Sequence, residues 1–320
     1  MASQLENVAI SRIEFSIPWP PDTAYAYLVS AEEPVLVDAG ALGNTGWAEL
    51  TSGLDAAGHD PEDVEHLLIT HPHTDHAGQA ERLIDVAEPT VYAPAGVRER
   101  LARDPEDLAS VVRANATEVG VPEPEDAVSQ AVDSLERNRS CLPPASIDVD
   151  VDAGTTLEVG ELTVDPIHVP GHQVDQMAFR TGRVLFSGDT LIEPFRPAAL
   201  HVGFDRGHDE SIDAFYAGLD RLAAVDVDHV YPGHGPVFDD AAGAVERARN
   251  DLDSLVAECR RTLSTLGRAT AYEVTEARID DPRRMNFSVF ETVGSLARLE
   301  RQGVVDSTLE NGVRRYRLTA

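Results

Sequence analysis

Lysine is missing from all 320 residues: the 26 basic side chains are arginine, set against 56 acids for a net charge of −30. An ordinary acidic protein has no reason to shed lysine. Dense carboxylates with arginine as the sole cation resemble the proteins of salt-accumulating archaea. There, hydrated acids keep the surface wetted and concentrated salt screens their repulsion. On this halophilic reading the charge reflects the solvent and says little about ligands. Cysteine is nearly absent as well. Cys141 and Cys259 stand far apart in no metal-type spacing, which argues against a disulfide framework. There is no apolar run of about eighteen residues. A charged-then-apolar leader is missing too, so the sequence predicts neither a membrane span nor a secretory signal, and a cytoplasmic location. No Ser-His-Asp or Cys-His arrangement stands out that would supply a nucleophile.

Histidine and aspartate are placed more tellingly. His71, His73, Asp75 and His76 fall within His-Pro-His-Thr-Asp-His, directly after the apolar run Val64-Glu65-His66-Leu67-Leu68-Ile69-Thr70. That run reads as a buried strand, so the polar groups sit in the loop at its end. Imidazole nitrogen and carboxylate oxygen suit a borderline metal such as zinc. Three more strand-like segments end in the same chemistry: Leu162–His168 before Val169-Pro170-Gly171-His172, Val184–Gly188 before Asp189, and His229–Pro232 before Gly233-His234. Upstream, Pro34-Val35-Leu36-Val37-Asp38-Ala39-Gly40 has the same build. Each histidine alone reads as a structural residue; the ordered set does not.

This set, in this order, resembles the metallo-β-lactamase fold superfamily over roughly residues 8 to 240. The resemblance implies an α/β fold, an αββα sandwich with its site along one edge of the sheets. It makes His71, His73 and His172 the ligands of one divalent ion. Asp75, His76 and His234 would hold a second, and Asp189 would bridge both. Zinc is the default, and iron and manganese accept the same ligands. Asp38 matches an aspartate that supports a ligand histidine by accepting its other ring proton. Asp75 and Asp189 with a bridging hydroxide would cancel three of the four metal charges. Such a centre acidifies water and polarises a carbonyl or phosphoryl oxygen, so hydrolysis by a metal-bridged hydroxide is the implied reaction.

The organisation follows. Strands are expected over 8–17, 24–30, 34–38, 64–70 and 90–93, with helices near 46–58, 78–87 and 209–223. The catalytic domain spans 1–240, with a helical insert over about 95–139 in which Pro105, Pro122 and Pro124 sit near helix starts. Arg98, Arg100, Arg103 and Arg113 of the insert could meet an anion, but their acidic neighbours favour a solvent-facing role. A connecting helix covers 241–267. Residues 268–320 read as helix, helix and hairpin, with Asn311-Gly312 as the turn. This resembles the β-lactamase-associated winged-helix domain found in one branch of the superfamily. Its nine arginines and eight acids escape the acidic bias. Two roles stay open: contact with RNA through Arg298, Arg301, Arg314, Arg315 and Arg317, or packing against the catalytic domain or a second subunit. Homodimers are common in the fold.

Branch features narrow the chemistry. Asp189 stands where the best-known zinc β-lactamases carry cysteine, and His73 where the di-iron flavoproteins carry glutamate. The 44 residues between Asp189 and His234 leave no room for the β-CASP cassette. The glyoxalase II motif matches in residue type, but the C-terminal part does not. The expected function is therefore hydrolysis of a small-molecule thioester or acyl ester. The alternatives are a single-strand-specific endoribonuclease and a catalytically silent metal-binding scaffold. An alkoxide leaving group profits from a proton donor, for which His168 and His201 are the spare candidates. The composition predicts that the fold is lost in dilute buffer. Melting curves in low salt and in molar KCl test this, and equal midpoints would count against the halophilic reading.

Overall fold

Two antiparallel strands, β1 (Ala9–Ser16) and β2 (Thr23–Ser30), open the chain and fix the layering. Successive side chains of a strand point to opposite faces. In β2, Ala24, Ala26 and Leu28 enter one apolar cluster while Tyr25, Tyr27 and Val29 enter another, and all six are buried. A strand apolar on both faces must be covered on both. The computed structural model, which describes residues 9–319, shows how. Residues 1–8, which the expected first domain includes and of which residue 8 begins the strand expected over 8–17, lie outside the described residues, as does Ala320 of the expected C-terminal domain.

After β2 come β3 (Val35–Val37), α1 (Asn44–Ala56), β4 (His66–Leu68), α2 (Ala80–Ala87) and β5 (Thr90–Pro94). The insert follows as α3 (Val97–Ala102), α4 (Pro105–Val119) and α5 (Pro124–Cys141). Pro105 and Pro124 open their helices, where a missing N–H costs nothing. Pro122 lies in the link between them. Strand β6 (Val149–Val151) then closes a six-stranded sheet in sequence order. A second sheet, in reverse order, holds β7 (Leu157–Val159), β8 (Leu162–His168), β9 (Met177–Thr181), β10 (Val184–Gly188) and β11 (His229–Pro232). Helix α6 (Ser211–Leu222) precedes β11, and α7 (Ala241–Leu266) follows it.

The three apolar clusters are the three interlayers of an αββα sandwich. Tyr27, Val37, Leu68, Met177, Phe179 and Phe186 fill the space between the sheets. Leu50, Leu54, Leu83 and Leu101 pack helices on the first sheet, and Phe215, Leu219 and Leu252 pack helices on the second. The strand expected over 64–70 has ladder pairing only at 66–68, because Ile69 and Thr70 already carry the chain into the His71–His76 loop.

The C-terminal segment is β12 (Arg268–Ala269), α8 (Ala271–Arg278), α9 (Met285–Arg301), β13 (Val305–Glu310) and β14 (Val313–Leu318). Its strands form a small sheet in the order β12-β14-β13, joined at Asn311-Gly312 with φ of 51° and 83°. The sequence suggested a distinct module, but its core is not its own. Val289, Val293 and Leu296 belong to the same cluster as Leu108, Val112 and Phe204. The insert and the C-terminal helices thus share one apolar cluster. Each arginine named above stands beside a carboxylate, though Arg301 and Arg317 stay largely exposed. Arg298 and Arg301 pair with Asp213, Arg314 Nε lies 2.6 Å from Glu118, Arg315 lies 3.1 Å from Glu273 and Arg317 lies 3.9 Å from Asp306.

A shared core implies shared unfolding. Leu296 is fully buried, so Leu296→Ala is expected to cost about 2–5 kcal/mol and to lower one common transition. Calorimetry in molar KCl checks this; a separate early transition confined to the C-terminal segment would contradict it.

Candidate metal centre

Strand ends bring the polar residues together. The chain leaves β3 at Asp38, whose φ of 60° turns it sharply, a conformation aspartate tolerates better than most residues. The buried Asp38 carboxylate accepts from the Thr70 backbone N–H and hydroxyl, each at 2.8 Å, and from His76 Nδ1 at 2.9 Å. This clamp ties the end of β3 to the loop after β4. The loops after β8, β10 and β11 deliver His172, Asp189 and His234. Gly233 is required for the approach, because a Cβ there would run into Asp189 Oδ1 and His76 Cε1.

Each ring's proton is drawn outward. His71 Nδ1 lies 3.0 Å from Thr70 Oγ1, His172 Nδ1 lies 2.9 Å from the Ala198 carbonyl, and His234 Nδ1 lies 2.6 Å from the Thr23 carbonyl. With His76 held by Asp38, four rings turn Nε2 inward. His73 is reversed. Its Nε2 lies 2.7 Å from the Gln173 amide nitrogen and its Nδ1 faces in.

The inward atoms form a donor set. His73 Nδ1 lies 3.0 Å from His71 Nε2 and 3.1 Å from His172 Nε2. Nitrogens roughly 2.0–2.1 Å from a tetrahedral ion stand about 3.3 Å apart, so the spacing fits a shared cation. His71, His76 and Asp189 make a second group that could hold an ion, and Asp75, His76 and His234 a third. Asp189 sits between the halves, with Oδ2 3.4 Å from His172 Nε2 and 3.2 Å from His234 Nε2, and Oδ1 3.5 Å from His76 Nε2. Asp75 Oδ2 lies 3.5 Å from His234 Nε2. His76 Nε2 and Asp189 Oδ1 are buried with no hydrogen-bond partner. Such orphans cost about 1–3 kcal/mol each unless something satisfies them.

Electrostatics divide the site. Burial, reinforced by His76 and His73, holds His71 well below the usual histidine range. Burial and His172 push His73 down to about 3, and burial also lowers His172. These three rings are neutral, as metal ligands must be. Burial opposes a charge on His76 and His234 too, but Asp189 outweighs it and raises both. Burial would raise Asp189, yet His234 and His76 keep it well below the usual carboxylate range. The carboxylates thus draw positive charge into this half, which a divalent ion would supply.

All seven ligand candidates and Asp38 therefore meet. The two spare histidines do not join them. His168 Nε2 lies 2.7 Å from the Val174 carbonyl and Nδ1 3.3 Å from Arg221, so its ring ties β8 to α6. His201, with φ of 54°, is buried with Nδ1 unpartnered, and burial, then Arg100 and His168, push it down to about 4. The insert arginines are paired: Arg98 with Asp150, Arg100 with Asp175, Arg103 with Asp107 and Asp205, Arg113 with Glu125.

Several contributors escaped the sequence reading. Thr70 and Gln173 adjoin ligand histidines, and that adjacency was the available signal. Glu291 on α9 had none. Its buried carboxylate accepts from Arg196 at 2.7 Å and from the Ala199 N–H at 3.1 Å, fixing the loop whose Ala198 carbonyl orients His172. Beside His73 and Gln173 a cavity of about 610 Å³ opens, walled by α3–α5 and by the C-terminal helices.

Comparison with known proteins agrees with this geometry. A solved metallo-beta-lactamase family protein from Thermus thermophilus superposes with a TM-score of 0.81 at 24% identity, covering 97% of this chain and 98% of that one. A beta-lactamase domain protein from Burkholderia ambifaria gives 0.78 at 19% identity, over 97% and 92%. Both likenesses concern the fold. Among sequence relatives, a hydroxyacylglutathione hydrolase of Ruegeria pomeroyi is 25% identical over 257 residues, 76% of this chain and 78% of that protein. An atrochrysone carboxyl ACP thioesterase of Cryptosporiopsis is 22% identical over 222 residues, 68% of this chain. The chain spans only about half of that thioesterase, 51%. The model of the metallo-beta-lactamase superfamily matches residues 19–234, which hold every ligand candidate, and the chain belongs to that superfamily.

Proposed function

We propose that the chain is a binuclear metal-dependent hydrolase acting on thioesters or related small acyl esters. The observation that carries this reading is the convergence of five imidazoles and two carboxylates, one ligand atom of each turned inward, beside a cavity that opens at His73. His71, His73 and His172 would hold one ion, Asp75, His76 and His234 the other, with Asp189 shared. Zinc is the first candidate for this nitrogen and oxygen set. Divalent ions there supply Lewis acidity toward a carbonyl oxygen and acidify water.

The chain's own residues do the rest. Asp38, Thr70, Gln173 and the carbonyls of Thr23 and Ala198 fix ring orientation and tautomer. A thiolate, with a thiol pKa near about 8.5, departs without help from a general acid. That suits a site whose two spare histidines are engaged or buried elsewhere. A ribonuclease would need cationic surface for phosphates. The arginines of the insert and of the C-terminal segment are largely committed to carboxylates, which favours the small-molecule reading. The C-terminal segment, winged-helix-like in its order of elements, acts here as a wall of the cavity. Complete retention of the ligand set speaks against a silent scaffold. Among the described residues no helix is long and apolar enough to cross a membrane.

Two outcomes are expected. Asp189→Ala should lower kcat/KM on an acyl thioester by on the order of 100-fold or more; retained turnover would sink the mechanism. Asp38→Asn should weaken metal binding about 10–100-fold. Competition against a chromogenic chelator measures this, and unchanged affinity would show that Asp38 does not support the site.

A further inference from the structure

The cavity beside His73 has a chemistry of its own. Ala127 and Ala131 of α5, Leu200 and Val202, and Tyr272 and Phe290 of the C-terminal helices line it with apolar surface that is only partly buried. At about 610 Å³ it is the size of sites that engulf small organic ligands. Resting on the thioesterase reading above, we propose that it is an acyl-chain pocket. It would select thioesters whose acyl group is apolar and medium to long, laid between the insert and the C-terminal helices with its carbonyl end at His73 and Gln173.

Charge along the lining supports an apolar occupant over a polyanion. Arg100, Arg103 and Arg137 are balanced by Glu123, Asp126 and Asp205. Two of those arginines are already engaged: Arg100 Nε lies 2.7 Å from Asp175, and Arg103 pairs with Asp205 and Asp107. A nucleic-acid strand would find no surplus of positive charge there. An alkyl chain instead exchanges water for side-chain contact along its whole length, worth about fourfold in affinity per methylene. The arrangement also gives the C-terminal segment a purpose. Without α9 the pocket would lie open on the α9 side, so chain-length selection and the shared core come from one element.

The test uses the full chain in molar KCl. Metal-free protein is titrated calorimetrically with non-cleavable S-decyl- and S-ethyl-N-acetylcysteamine. The metal-loaded enzyme is assayed on decanoyl and acetyl thioesters of the same thiol. The blocking variant is Ala131→Trp, at a partly buried lining position on α5; Ala127→Phe replaces it if circular dichroism shows that it misfolds. The pocket predicts that wild type binds the decyl ligand at least 100-fold more tightly than the ethyl one. It also predicts that the variant's decanoyl-to-acetyl ratio of kcat/KM falls at least tenfold. Turnover indifferent to chain length, with that ratio unmoved in the variant, would overturn the pocket and leave the hydrolase reading standing. Decyl binding that the variant abolishes, without cleavage of any thioester, would uphold the pocket and remove the thioesterase reading. Displacement of the decyl ligand by a single-stranded oligoribonucleotide would assign the cavity to nucleic acid and overturn the proposal.

Discussion

How five imidazoles, four of them buried and His73 half-buried, are held from outside decides what the strand ends can do. A buried ring nitrogen must be satisfied, and each ring here meets that demand on one side only. Thr70, Asp38, Ala198 and Thr23 take the outer protons of four rings, and Gln173 holds the fifth. What remains is an inward-facing shell of ring nitrogens and carboxylate oxygens spaced to hold a cation. The outer partners come from β2, the ends of β3 and β4, the loop after β10 and the loop after β8. The site is therefore a property of how the two sheets face each other and not of any single motif.

Distant segments enter through the same logic. Glu291 on α9 holds Arg196 and the Ala199 N–H, and the neighbouring Ala198 carbonyl orients His172. The C-terminal segment thus reaches a ligand candidate through one loop and walls the cavity through another face. This accounts for its merged core with the insert, and for arginines that end in ion pairs with Asp213 and Glu118.

Much of the catalytic half was legible in the sequence because its chemistry is local. Apolar runs marked the strands, and ligand-type residues stood directly after them at Asp38, His71–His76, His172, Asp189 and His234. Pro105 and Pro124 marked helix starts, and Asn311-Gly312 marked the hairpin. What stayed hidden depends on long-range pairing. No spacing signals that Glu291 serves a loop some ninety residues upstream, at Arg196–Ala199. Nor does spacing show that His168 spends both ring nitrogens on Val174 and Arg221. Composition divided the C-terminal segment from the rest, whereas packing joined it, because a change in surface charge says nothing about which apolar faces meet.

On this reading the converging ring nitrogens and carboxylate oxygens are a metal centre. Zinc titration into chelator-stripped protein in molar KCl, with bound metal counted by mass spectrometry after gel filtration, tests it most directly. The account predicts saturation at about two ions per chain, with His71→Ala reducing the count. Protein that stays folded yet retains no zinc, or whose uptake ignores that substitution, would contradict it.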